Sequence, residues 1–472
     1  MQYQSALILL ADGARPDVME HLLRRGDLPN IQRHIIERGT VTQALTVFPS
    51  TTGPAYLPFL TGCFPGTCNI PGIRWFDKYQ MAKYSPSLHR FRSYVGWESY
   101  LFNGDLDRSV KTIFELEPKA YSIQSIASRG AGRRDLNRFN RWIQAYSAHV
   151  THQWAKFDGE IARALQHLLP KKPKFVFAAF PAIDEYSHLY HPEHPKTVEA
   201  YWQIDYYVGE IVKDLKKMGA FEETLLIITS DHGLTKTDQH FCLISFLKNN
   251  GFRPFYYPLI YRSGCNVAVM QSGNAMAHLY FRDPSGWGVG VTYERLIELG
   301  LWGVMEELAT QKEIAWVAVR TGTGSIIVQG EDGTGVLQHH SNKFRYQILG
   351  KDPLSITNEE ILWTEEESLI KTIDSSYPDA LIQLTQLFQS RRTGDVIVVA
   401  KDGYDLRDRF EAPKHHASHG SLSSLHMRVP LYISHPLSVA RPIRTVDILP
   451  TILNLLEIPF SHKMDGESLI NG

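Results

Sequence analysis

The chain has 472 residues, of which 43% are hydrophobic and 21% charged, the balance of an ordinary globular protein and not of a disordered or fibrous one. Its 49 basic and 50 acidic residues leave a net charge of −1, with none of the basic excess a general nucleic-acid binder uses, so no stable nucleic-acid partner is expected. Four cysteines (Cys63, Cys68, Cys242, Cys265) are too few for a disulfide framework and read as free thiols in a reducing, cytoplasmic setting, with Cys63 and Cys68 as the one potential reversible pair.

The first element predicted is a strand at residues 5–11, Ser-Ala-Leu-Ile-Leu-Leu-Ala, with Asp12 directly behind it. It is too short, and too soon followed by a charge, to be a secretory core. No apolar run approaches the ~18 residues a membrane span requires. Val18, Leu22 and Leu23 follow, then a helix at about 29–38, entered through Pro29 and stopped at Gly39. Residues 42–47 alternate loosely and read as a strand. Thr52 lies at the strand-to-helix transition beyond, where free backbone N–H groups would point at an anion.

Residues 77–148 are less regular. They hold a basic stretch with Arg129, Arg133, Arg134, Arg138, Arg141 and Trp142, either a solvated face or an arm contacting an anionic substrate. Residues 197–218 form the clearest helix, with Tyr201, Ile204, Val208, Ile211, Val212 and Leu215 as its apolar stripe and Gly219 as its stop. It connects two strands of buried character, 174–180 and 224–230, in a βαβ unit that implies parallel strands covered by helices.

From 235 to 395 the rhythm changes. Short β-like pieces at 276–281, 314–319, 324–329 and 335–339 are divided by Gly-rich turns and interrupted by a helix near 291–308. This reads as an inserted α+β cap. The core is expected to resume with the strand at 395–400 and to close with a strand at 430–434 and a helix near 447–456.

The polar residues at the strand ends carry the chemistry. Asp231-His232 follows a buried strand, and adjacent side chains reach one ion only where a strand ends; a polar turn with Asp as a helix cap is the plainer alternative. Asp184 and His188 share one face of a helical turn, as a ligand pair or a solvated acid–imidazole pair, with His191 and His194 as rivals. Asp12 is a helix cap or a cation ligand at the end of the first strand. His419 competes with His415 and His416. Three carboxylates, three imidazoles and one hydroxyl are what two divalent metals and a nucleophile require.

Four segments bring a known family into view. They are Leu7-Ile-Leu-Leu-Ala-Asp-Gly13 with Leu28-Pro-Asn-Ile31; Phe48-Pro-Ser-Thr-Thr52 through Thr61-Gly62 to Pro71-Gly-Ile-Arg-Trp-Phe-Asp77; Asp184-x-x-x-His188 with Ser230-Asp-His-Gly-Leu234; and Ser418-His-Gly-Ser421, backed by Met427-Arg-Val-Pro-Leu-Tyr-Ile433 and Arg444-Thr-Val-Asp-Ile-Leu-Pro-Thr451. In this order the chain resembles the alkaline phosphatase superfamily, in its type I phosphodiesterase/nucleotide pyrophosphatase branch.

The resemblance implies an α/β fold: a mainly parallel sheet covered by helices on both faces. Residues 1–234 and 396–472 would form the metallohydrolase core and 235–395 the inserted cap. It implies two divalent ions, zinc with manganese as the alternative, one on Asp12, Thr52, Asp231 and His232 and the other on Asp184, His188 and His419. Thr52 aligns with the nucleophilic second threonine of the relatives' Phe-Pro-Thr-Lys-Thr-Phe-Pro-Asn stretch, with Ser50 and Thr51 as its competitors. The asparagine of that stretch, which holds a phosphate oxygen, falls on Ala55. Backbone N–H groups around Thr52 and Gly53, Arg74 or a cap residue are the substitutes. Cys63-Phe-Pro-Gly-Thr67 lacks the arginine of the sulfatase signature.

The implied activity is phosphodiester or pyrophosphate cleavage through a phosphothreonine, on a small phosphate ester or nucleotide-like substrate. The alternatives are a phosphomonoesterase or phosphonate hydrolase on the same site, or a silent binding protein of this fold. The cap, with Arg74, Trp75 and Tyr186, is expected to border the entrance and decide specificity.

Overall fold

The computed structural model describes residues 3–83, 91–136, 141–258, 264–406 and 414–470. Three apolar runs, Ser5–Ala11, Phe175–Phe180 and Thr224–Thr229, form adjacent parallel strands. Their character follows from burial on both faces, which leaves no position where a polar side chain meets water. Ile8, Leu10, Phe177 and Ile227 point to one face, where they pack with Leu57, Phe59, Leu449 and Ile452. Leu7, Leu9, Val176 and Ile228 point to the other, against Leu22, Ile161, Leu165, Ile204 and Val208.

Eight strands make this sheet, in the order 443–444, 40–45, 428–433, 224–229, 5–11, 175–180, 120–123 and 135–136. Only Arg428–Ile433 runs antiparallel to its neighbours, so the sheet is mainly parallel, as expected. Ala11 lies beside Phe180 and Leu10 beside Thr229, so the three central strands end together. Asp12, Asp184 and Asp231 all leave the sheet at that edge.

A second, nine-stranded sheet occupies the middle of the chain. Its order is 254–256, 267–271, 276–281, 396–400, 314–320, 326–329, 333–340, 343–350 and 361–364. The strand at 395–400 therefore does not resume the core. Val396–Ala400 pairs antiparallel with Met276–Phe281 and with Ile314–Arg320. A run of β-branched residues suits either sheet; Asp395 decides the matter, because its carboxylate accepts from Phe281 N (2.7 Å), Val291 N (3.0 Å) and Lys78 Nζ (2.7 Å).

Local departures have local causes. Residues 29–38 are helical over Pro29–Ile31, then widen into a π turn over Gln32–Ile36. Gly39 does not cap them. A Cβ there would lie 1.9 Å from the Ile433 carbonyl oxygen, so glycine is needed for close strand approach. The helix at 291–308 is two helices, Tyr293–Glu298 capped by Thr292 and Trp302–Ala309, broken at Gly300 with φ +68°. In the basic stretch, Arg129 donates to the carbonyls of Asp107 and Val110, and Arg134 to those of Phe114, Glu117, Ala120 and Gly130. These two guanidinium groups brace loops. Arg138 and the side chains of Arg141 and Trp142 lie outside the described residues.

The two sheets meet behind the segment that carries Thr52. Val47, Phe48, Ala55 and Phe64 join Trp316, Leu384 and Phe388 in one apolar cluster. The helix Ala380–Gln389 clamps the backbone there: Gln383 Oε1 accepts from Phe48 N (2.8 Å), Gln383 Nε2 donates to Thr46 O (3.3 Å) and Gln386 Nε2 to Phe48 O (2.6 Å).

Lys78 and Asp395 form a buried ion pair across the same junction. Burial raises the Asp395 pKa and Lys78 opposes that shift. Replacing Lys78 with Met strands a buried carboxylate, so the variant should lose about 3–5 kcal/mol of stability, read as a lower urea midpoint. An unchanged midpoint would mean that Asp395 needs no cation.

Candidate active site

The cluster at the sheet edge has a hydroxyl at its rim. Thr52 Oγ1 lies 3.4 Å from Asp12 Oδ1 and 3.2 Å from His232 Nε2. His232 Nε2 is 3.5 Å from Asp12 Oδ1 and 3.4 Å from Asp231 Oδ2. On the other side, His188 Nε2 is 3.4 Å and His419 Nε2 4.0 Å from Asp184 Oδ1. The His232 and His419 rings stack at 3.9 Å between the two halves. Thr52 is half-buried and its six companions are buried or nearly so.

Two groups of three ligand atoms come together. Ligand atoms of Asp12, Asp231 and His232 lie within 4.8 Å of one another, and so do those of Asp184, His232 and His419. His232 thus belongs to both triads, while His188 approaches from the outside of the second.

Backbone geometry sets each imidazole. His188 Nδ1 faces Ala417 O (3.0 Å), His232 Nδ1 faces Gly233 O (3.1 Å) and His419 Nδ1 faces Ser50 O (3.0 Å). A carbonyl only accepts, so the hydrogen-bond pattern assigns each proton to Nδ1 and leaves Nε2 with a lone pair aimed at the carboxylates. This is the arrangement of a metal-ligating histidine held from behind.

The electrostatics are unfavourable without a cation. Burial, then Asp231 and Asp184, push the Asp12 pKa well up. Burial likewise raises Asp184 and Asp231, opposed by their histidine neighbours. Burial lowers His232 and drives His419 well below the usual range. Asp184 Oδ1 and Asp231 Oδ2 are buried and have no hydrogen-bond donor among the described residues. Acceptor-only oxygens facing imidazole lone pairs fit divalent cations, and a mixed oxygen–nitrogen set suits zinc or manganese.

The other expectations divide. Trp75 is fully buried, its indole N–H on Tyr94 Oη (3.1 Å) and guanidinium groups of Arg92 and Arg392 over its ring, so it has no face for a substrate. Tyr186 Oη accepts from Ala155 N (3.0 Å) and packs among the helices on the far side of Asp184. Arg74 borders a small cavity of the second sheet, with Tyr257 and Gln271. His194 caps the helix Pro195–Lys217, and His191 accepts from Glu193 N, so neither competes with His188. His415 is different: its ring lies 4.5 Å from that of His188.

Two residues outside the expected ligand set contribute. Tyr56 donates to Asp12 Oδ2 at 2.7 Å, leaving Oδ1 to face Thr52 and His232. Its place four residues after Thr52 was the available hint. Ser50 binds the His419 loop, donating to Ser421 O (2.7 Å) and accepting from Gly420 N (3.2 Å). The amides of Thr52 and Gly53 have no acceptor among the described residues, and Gly53 holds φ +93°.

A model of the family described as type I phosphodiesterase / nucleotide pyrophosphatase matches residues 6–422. The chain belongs to that family, whose members are metal-dependent hydrolases of phosphoester bonds. An uncharacterized pyrophosphatase/phosphodiesterase of Schizosaccharomyces pombe is 24% identical over 244 residues, 50% of this chain and 46% of that relative, so the match spans about half the relative's length. Among solved structures, murine ectonucleotide pyrophosphatase/phosphodiesterase 5 aligns with TM-score 0.57 and 14% identity over 98% of both chains. Phosphonoacetate hydrolase from Sinorhizobium meliloti 1021, in complex with phosphonoacetate, aligns with TM-score 0.58 and 15% identity over 97% of this chain and 96% of that one. An inactive variant of the murine protein in complex with AMP gives TM-score 0.56 at 15% identity over 98% and 97%. The fold is alkaline-phosphatase-like, as the resemblance implied.

The pKa directions set the pH dependence of metal binding. Protons compete for Asp12, Asp184 and Asp231 up to the raised pKa values, above the ordinary carboxylate value of about 4. His232 and His419, with lowered pKa values, are neutral already and compete little. Stabilisation by added Zn²⁺ or Mn²⁺, measured as the rise in Tm over an EDTA-treated sample, should therefore grow from about pH 5 to pH 7. An increment that is flat or falls over that range would show that these carboxylates are not the ligands.

Proposed function

We propose that this member of the type I phosphodiesterase/nucleotide pyrophosphatase family cleaves phosphodiester or pyrophosphate bonds of small, nucleotide-like substrates, with Thr52 as the nucleophile. The observation that carries the reading is the position of Thr52 Oγ1, within 3.4 Å of both Asp12 Oδ1 and His232 Nε2 at the open rim of the cluster. Asp12, Thr52, Asp231 and His232 would hold one divalent ion and Asp184, His188 and His419 the other, zinc or manganese. Such ions supply Lewis acidity that lowers the hydroxyl pKa and offsets charge on the phosphate.

The chain's own groups account for the rest. Asp12 Oδ1 accepts the Thr52 hydroxyl hydrogen and turns an oxygen lone pair outward. Oγ1 attacks phosphorus, the bond to the leaving alcohol breaks, and the alcohol departs with the electron pair and gains a proton from solvent. Water then displaces Thr52 from the phosphothreonine, which restores the hydroxyl and releases the monoester. The amides of Thr52 and Gly53 take the donor role of the relatives' asparagine. Among the described residues, the seven groups of the cluster include no lysine or arginine, which favours the single charge of a diester over the double charge of a monoester. Phosphonate hydrolysis is the second reading, supported by the likeness to the phosphonoacetate hydrolase.

With Zn²⁺ or Mn²⁺ supplied, bis-p-nitrophenyl phosphate should turn over faster than p-nitrophenyl phosphate. Thr52→Ala should lose on the order of 1,000-fold in kcat while keeping its circular dichroism spectrum. Thr51→Val should stay within a few-fold of the parent, since its buried hydroxyl bonds nothing among the described residues. An active Thr52→Ala would move the nucleophile elsewhere, and a monoester or phosphonate preference would favour the alternatives.

A further inference from the structure

The second sheet reaches the metal cluster at one point. Between Val267–Gln271 and Met276–Phe281 the chain turns sharply through Ser272, Gly273 and Asn274. His419 N donates to Gly273 O (3.1 Å) and Ala275 N to His419 O (2.9 Å). The contact is tight: a Cβ on Gly273 would lie 2.8 Å from His419 Nδ1. Asn274 sits at the apex with φ +66°, which asparagine tolerates better than most residues. Its carbonyl accepts from Leu406 N (2.7 Å), and its side-chain amide Nδ2 lies 3.0 Å from His415 Nδ1.

His415 relays this contact. Its ring rests 4.5 Å from that of His188, centroid to centroid, tilted by 38°. His188 is otherwise held at its edge by Ala417 O and at its carbonyl by His416 N (2.8 Å). These bonds hold the His188 ring from one edge, and the His415 ring restricts its rotation from one face. His415 is half-buried, and the amide of Asn274 fixes the direction of its Nδ1 edge.

We propose that Asn274 is a positioning residue for the second half of the metal centre: the turn it forms between Gly273 and Ala275 seats His419 through the backbone of those two neighbours, and its side chain, through His415, fixes the ring of His188. The inserted sheet is then part of the metal-binding unit and not only a wall of the entrance. The proposal rests on the reading above that Asp184, His188 and His419 hold one of two ions.

The test is titration of the metal-stripped protein with Mn²⁺ by calorimetry. Asn274→Gly keeps the left-handed backbone accessible and removes only the amide side chain. It should bind one ion as the parent does and the other about 10–100-fold more weakly, the usual effect of losing a group that orients a ligand. His415→Ala should weaken the same ion. The double variant should be little worse than the poorer single one, because the two side chains act in series. Should Asn274→Gly fail to fold, His415→Ala at its half-buried position carries the comparison. Two parent-like affinities, or equal weakening of both ions, would overturn the proposal. A parent protein that binds fewer than two ions would instead overturn the two-ion reading, and the proposal with it.

Discussion

Three carboxylates are buried together because three parallel strands end in register. Asp12, Asp184 and Asp231 have little freedom to avoid one another, since Ala11, Phe180 and Thr229 are fixed by the ladder behind them. Two unit charges 4 Å apart repel by about 4 kcal/mol at an effective dielectric constant of 20. The rest of the cluster is organised around that repulsion. Histidines enter neutral, Tyr56 and Thr52 donate to the two oxygens of Asp12, and Asp184 Oδ1 and Asp231 Oδ2 are buried without donors among the described residues. A cation is the one species that satisfies all of them at once, so the groups that make the protein reactive also leave its metal-free form strained.

Such strain holds its geometry only if the surroundings are stiff. Here the stiffness comes from the backbone. Each histidine is oriented by a main-chain carbonyl, and each of those carbonyls belongs to a segment anchored elsewhere. Ser50 O, which orients His419, lies two residues beyond Phe48, whose N–H and C=O are both held by glutamines of the helix Ala380–Gln389. That helix belongs to the middle region of the chain. The second sheet and its helices thus support the Thr52 segment from behind, and Gly273 and Ala275 support His419 from the side.

The legible part of this architecture was the part written in local pattern. Apolar runs of strand length with an acid or Asp-His behind them marked the sheet edge, and the 3.6-residue stripe from Tyr201 to Leu215 marked a covering helix. What could not be read was choice of partner. The run at 396–400 has the same pattern as a core strand, and only the distant donors on Phe281, Val291 and Lys78 assign it to the other sheet. Trp75, expected at the entrance with Arg74 and Tyr186, is instead buried beneath Arg92 and Arg392, and its neighbours in sequence do not record that packing. The side chains of Tyr56 and Asn274 reach Asp12 and His415 across 44 and 141 residues of chain, and no periodicity records such a bond.

The alanine at position 55 follows from the same packing. Ala55 is completely buried and faces the apolar cluster of Phe48, Phe64, Trp316 and Leu384. An asparagine there would bury an amide among carbon atoms, at a cost of about 1–3 kcal/mol if it found no partner. In this chain the second sheet closes over that side of the Thr52 segment, so a side-chain donor cannot be placed there cheaply. Position 55 is given over to fixing the loop, while Gly53, two residues before it, supplies the positive φ with which the loop turns into the helix.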